Sequence, residues 1–223
     1  MSQPRRQFLG LLGASSLAAL GGSALAPERL EAEAHETPVD DTWDMSWVDK
    51  VSGKYKAVFD SPEVSEGAAL FRACLWRDNY KTVYGTERSN MSPVIVFRHE
   101  AISLVMNDEY WDKYNVGKDV KLKDEKTGKW TRINPIRVSP PGTPEKWADY
   151  NLTSLMNQGG VVLACRLAFG DVVGTVMKQE KLEKDAAIAR AKSYLVPGVI
   201  LQPSGVFAVL RSQEAGCSYI KAS

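Results

Sequence analysis

Two kinds of apolar spacing alternate along this chain. Short apolar runs, dense enough to be buried on both faces, recur at Lys54–Asp60, Val94–Phe97, Val161–Ala164, Gly198–Gln202 and Cys217–Lys221, and each reads as a strand. Between them the apolar residues fall at helical spacing. Ala69, Ala73 and Trp76 do so with Leu70 and Cys74 alongside, and Leu104, Met106, Tyr110, Trp111 and Tyr114 predict a second helix. A third is predicted from Thr143-Pro144-Glu145 through Trp147, Leu152, Leu155 and Met156. Val172, Val173, Val176 and Met177, followed by Leu182, Ala186 and Ala189, predict one long helix or two before Pro197. Ser61-Pro62-Glu63 has the chemistry to cap the first helix, and Pro203-Ser204-Gly205 forms the turn before a short one, Val206 to Ala215. Lys118 to Pro144 breaks the rhythm. It is polar, holds four of the eleven prolines, and is expected to be an inserted hairpin or excursion over one sheet edge. Strands and helices thus alternate, which predicts an α/β fold: a mainly parallel sheet of about five strands covered on both faces, each crossover right-handed.

The first residues carry a different signal. Ser2-Gln3-Pro4-Arg5-Arg6-Gln7-Phe8-Leu9 opens an apolar, glycine-bearing segment of the kind the twin-arginine translocase recognises. Ala24-Leu25-Ala26 resembles a cleavage site but is followed by Pro27, so a cut after Ala34 is the alternative and an uncleaved membrane tether a third. Residues 1–34 are therefore expected to export the protein to the periplasm. Residues 35–53, polar and acidic with Trp43 and Trp47, read as a linker that lays one helical turn on the body. Residues 54–223 read as one domain.

Composition narrows the partners. With 28 basic and 27 acidic side chains the net charge is +1, which gives no electrostatic reason to expect nucleic acid. Three cysteines in an oxidising compartment, Cys74, Cys165 and Cys217, leave either one disulfide and a free thiol or three unpaired thiols. No two have metal-ligand spacing, so no metal site is expected. Phosphate-cradling glycine loops and the Gly-x-Ser-x-Gly elbow are missing, so neither a nucleotide cofactor nor serine hydrolysis is expected.

If the first four strands are parallel, their carboxyl ends share one edge, where ligands of open α/β sheets bind. That edge collects Asp60-Ser61, Arg98-His99-Glu100, Cys165-Arg166 and Pro203-Ser204-Gly205. Cys165 ends the apolar run Val161–Ala164 and precedes a helix, a place that favours a thiolate and makes it a candidate nucleophile. His99, one of two histidines, is a candidate proton carrier, and Arg98, Arg166 and Ser204 are candidates to hold an anionic substrate. Each has a plainer role open to it. Cys165 would be core filler, His99 a loop residue bonded to Glu100, the arginines ion-pair partners, and Ser204 a helix cap.

Val96-Phe97-Arg98-His99-Glu100-Ala101, Asn107-Asp108-x-x-Trp111-x-Lys113-Tyr114, Cys165 after its apolar strand, and Val196-Pro197-Gly198-Val199 with Pro203-Ser204-Gly205-Val206 form an ordered set. Together they resemble the DsrE-like sulfur-relay family, in particular its exported branch with a twin-arginine leader. The resemblance spans residues 54–221, with 118–144 as a variable insertion. It implies a flavodoxin-like three-layer sandwich, assembly into homo-oligomers, and a cysteine, matched by Cys165, that accepts sulfane sulfur as a persulfide and passes it between a donor and an acceptor.

Overall fold

The computed structural model describes residues 43–223. The expected export signal, its candidate cleavage sites and the start of the expected linker lie outside the described residues. Five strands form one sheet: β1 (Tyr55–Ser61), β2 (Met91–Phe97), β3 (Val161–Cys165), β4 (Ile200–Gln202) and β5 (Ser218–Lys221). They lie side by side in the order β4-β3-β2-β1-β5, and every pair is parallel. Every residue of β2 and β3 is buried, which is why Val94–Phe97 and Val161–Ala164 are unbroken apolar runs rather than alternating ones.

The pleat divides these runs between two cores. Phe59, Ile95, Phe97, Val162 and Ala164 face one layer of helices: α2 (Ala68–Tyr84), α3 (Asp108–Lys113), α5 (Leu152–Asn157), α6 (Arg166–Glu180) and α7 (Lys184–Ser193). A short α4 (Val116–Asp119) follows α3 on the same side. Val58, Val94, Val96, Val161 and Leu163 face the other layer, made by α8 (Gly205–Glu214) and α1 (Trp47–Lys50). The protein is a flavodoxin-like three-layer α/β sandwich with an all-parallel sheet.

The order of the strands creates the site. From β1 to β4 the chain steps one way along the sheet and sets its helices on one face. After β4 it crosses back to the far side of β1, and the right-handed crossover sends α8 to the opposite face. Neighbouring β3 and β4 therefore hand the chain to opposite layers, and a crevice opens between their carboxyl ends.

Local structure departs from the sequence pattern in three places and decides an open alternative in a fourth. The helix after β1 begins only at Ala68, because Ser65, Glu66 and Gly67 take left-handed backbone (φ 37°, 52° and 82°) around a 3-10 turn. Gly67 is required there: a Cβ would stand 2.2 Å from Cγ2 of Ile136. Residues His99–Val105 wind as a 3-10 helix, and α3 starts anew where the Asn107 side chain accepts the Tyr110 N–H at 3.0 Å. Trp147 belongs to a separate 3-10 turn, while α5 starts from its own cap, Asn151. Lys181, left-handed at φ 54°, divides α6 from α7 and so decides for two helices.

The 118–144 excursion holds one antiparallel bridge, Lys123 to Trp130. Asn134 ties it to the body by donating to the carbonyls of Leu104 and Met106, both at 2.7 Å. In the linker, Trp47 is fully buried in the second core.

Candidate functional site

Cys165 is the last residue of β3 and the N-cap of α6, and its side chain makes no capping bond. It is 6% exposed, and the part that reaches solvent opens into a pocket of about 230 Å³ in the β3–β4 crevice. Arg98 and His99 come to this pocket from the end of β2, Leu167, Ala168 and Asp171 from the first turns of α6, and Ser204, Gly205 and Val206 from the start of α8. The positive ends of two helices therefore border one small cavity that holds a thiol.

Arg98 is committed inside the protein. Its Nε and Nη2 donate to Oδ1 and Oδ2 of Asp60 at 2.7 and 2.9 Å, and the Tyr219 hydroxyl donates to Oδ2 of the same carboxylate at 3.0 Å. The hydrogen bond to Asp60 holds the guanidinium above the ordinary arginine range. This ion pair cancels most of the charge that an anionic substrate would seek, so Arg98 is a wall with a compensated charge. The wall is close-fitting: a Cβ on Gly205 would stand 2.7 Å from Cβ and 2.5 Å from Cδ of Arg98.

His99 is exposed and left-handed at φ 50°, a conformation that costs a non-glycine residue about 1 kcal/mol. With Asp171 it borders both the Cys165 pocket and an adjoining open depression of about 550 Å³. Ser204 lines the pocket and is also the N-cap of α8, its Oγ accepting the Phe207 N–H at 3.1 Å.

Arg166 goes elsewhere. It lines a separate pocket of about 280 Å³ with Trp43, Asp44 and Lys192, because one residue along a helix turns the side chain by about 100°. The structure thus gathers Cys165, His99, Arg98 and Ser204 and leaves Arg166 beyond the cavity.

Asp171 is the functional candidate that reading the sequence missed. Its signal is the helical spacing Ala168–Asp171, which keeps it on the face that carries the pocket. Asp60 stood on the expected edge, but the ladder alone places it next to β2 and within reach of Arg98.

The three cysteines are unpaired. Burial pushes the Cys74 thiol up and the Cys217 thiol up to about 11, so neither competes as a nucleophile. Among the described residues, no group of three His, Cys, Asp or Glu side chains is placed to hold a metal ion.

No family model matches the chain, and no curated protein matches it. Among solved structures it is similar to MTH1491, a protein of unknown function from Methanobacterium thermoautotrophicum. The TM-score is 0.39 at 16% identity, covering 75% of this chain and 98% of that one.

Proposed function

We propose that this protein is exported to the periplasm and handles sulfane sulfur there, carrying it on Cys165. The observation that carries this reading is a thiol at a strand–helix junction, opening into a cavity large enough for one or two added sulfur atoms and beside a histidine. The Cys165 thiolate attacks the terminal sulfur of a polysulfide or persulfide donor. A new Sγ–S bond forms as the donor's S–S bond breaks, and the departing sulfide or thiolate keeps the electron pair and takes a proton. In this reading His99, which lines the rim, carries that proton between cavity and solvent. Transfer onward reverses the step: an acceptor thiolate takes the outer sulfur and Cys165 leaves as thiolate. The expected partners are a sulfur donor or acceptor, either a small compound or a protein, and a homo-oligomer is the expected assembly. In support of a protein partner, large apolar side chains stand exposed at the cavity mouth, Leu167 at 72% and Val206 at 62%.

Intact mass spectrometry of the mature protein after incubation with polysulfide tests this. The expected result is a gain of one or two sulfur atoms, lost on reduction and abolished by Cys165→Ser, but kept in Cys74→Ala and Cys217→Ala. A gain that survives Cys165→Ser, or none in the unmodified sequence, overturns the reading.

The Asp60–Arg98 pair supports a second reading, in which the same cleft binds a small ligand or a protein without covalent chemistry and Cys165 fills core. Timed alkylation separates the two. Reaction of Cys165 in the folded protein, well ahead of global unfolding, supports the carrier; reaction only on unfolding supports the binding module.

A further inference from the structure

We infer that the hairpin of the 118–144 excursion is a docking surface for an anionic lipid bilayer. Residues 118–133 hold six basic and three acidic side chains, while the rest of the chain carries more acids than bases. The positive charge of this near-neutral protein is therefore concentrated on one excursion, and the average over the chain hides it.

Local geometry turns that charge outward. Lys123 and Trp130 form a bridge, the Asp124 N–H donates to the Lys129 carbonyl at 2.8 Å, and the Thr131 N–H donates to the Leu122 carbonyl at 3.1 Å. These bonds fix the register. Side chains alternate across a hairpin, so Leu122 turns inward onto the core and Thr131 is buried beside it. Lys123 and Trp130 turn outward, with Lys123 Nζ 5.0 Å from the centre of a Trp130 ring. Trp130 is 40% exposed and Ile133, three residues on, 52%. Lys118, Lys121, Lys123, Lys126 and Lys129 are all exposed, and none forms an ion pair among the described residues.

The kind of cation decides what this surface fits. Arg132 is the one arginine of residues 118–133, and it is committed to Asp112 and Asn115. The other cations are lysines, point charges without the guanidinium fork that reads a fixed carboxylate or phosphate. Point charges on flexible stems suit a fluid array of headgroups that rearranges beneath them, and an indole beside them belongs at the lipid–water boundary. The fixed anions of an acidic protein or a nucleic acid are better met by arginine. Among the described residues no helix is long and apolar enough to cross a membrane, so the contact is with the bilayer surface.

Co-sedimentation of the mature protein, lacking residues 1–34, with vesicles tests the assignment. Vesicles of phosphatidylcholine and phosphatidylglycerol in equal parts are expected to carry the protein down at low salt, and phosphatidylcholine alone to leave it in solution. Binding is expected to vanish in about 1 M salt, where charges are screened beyond about 3 Å. Changing Lys123, Lys126 and Lys129 together to Gln is expected to weaken it at least about tenfold, each lysine near an anionic surface being worth about fivefold. Trp130→Ala is expected to weaken it several-fold, and Trp130→Tyr, which keeps an aromatic ring at the boundary, to retain most of it. All four side chains are exposed, so these variants keep their fold. Soluble poly-glutamate is expected to bind more weakly than the vesicles. The inference is overturned if the anionic vesicles leave the protein in solution, if phosphatidylcholine alone binds it as tightly, if the lysine variant or Trp130→Ala changes nothing, or if poly-glutamate binds as tightly as the vesicles. None of these outcomes depends on sulfur chemistry at Cys165.

Discussion

Asp60 and Arg98 show how much one pair decides. The carboxylate is buried at the end of β1 and spends its oxygens on the Arg98 guanidinium and the Tyr219 hydroxyl. Asp60→Asn leaves a cation without its counter-charge. The expected loss is about 2–3 kcal/mol in urea denaturation, less than a fully buried pair because Arg98 keeps some contact with water. Gly205→Ala drives a methyl into the Arg98 chain and is expected to cost about 1–3 kcal/mol. Adding Arg98→Ala removes Cγ and Cδ, two of the three atoms it strikes, and leaves only the Cβ, so a double-mutant cycle should show the two substitutions to be less than additive. Strict additivity would mean that Arg98 does not pack on α8.

Where helices meet, one carboxylate ties three of them together. Glu180, at the end of α6, accepts from Lys113 Nζ at 2.7 Å and from the Tyr114 hydroxyl, both from the end of α3 and the residue after it. It also accepts from the hydroxyl of Tyr194, just past α7, at 3.1 Å. These bonds, that of Lys113 foremost, hold its carboxyl down to about 2 from an ordinary 4.5. A depressed folded-state value stabilises the protein fully above the unfolded value and is lost as pH falls through the folded one. Urea midpoints should therefore drop as pH goes from 4.5 toward about 2, and the drop should be shallower in Glu180→Gln. Equal slopes would show that the cluster does not couple α3, α6 and α7.

At the scale of the whole molecule, the segment before β1 belongs to the fold. Trp47 is fully buried with Val51 under the sheet, against Val58, Val94 and α8. Trp47→Ala is expected to cost about 2–4 kcal/mol, somewhat below the usual penalty because the indole N–H has no partner to lose. Trp47→Phe, which keeps a smaller aromatic ring in the core and removes the orphaned donor, should cost clearly less. A protein starting at residue 54 should unfold at lower urea by a similar margin. Unchanged midpoints in both Trp47→Ala and the truncated chain would mean that α1 adds nothing to the second core.

Much of this architecture is written in short stretches. An unbroken apolar run demands burial on both faces, a 3.6-residue stripe demands a layer to lie on, and their alternation demands parallel crossovers, so five strands and two helical layers follow from the order of residues alone. Cys165 at the end of its run and Ser204 as the cap of α8 were legible for the same reason: strand ends and caps depend on chain neighbours.

The partners of each side chain were not, because they come from residues far apart in sequence. The return of β5 to the far side of β1 puts Tyr219 beside Asp60, the β1–β2 ladder gives Asp60 to Arg98, and one turn of α6 carries Asp171 to the pocket. The same helical rotation takes Arg166 out of it. Local periodicity sets what each segment must bury. Only the packed sheet sets which charges meet, since a guanidinium is free or spent according to the strand that lies beside it.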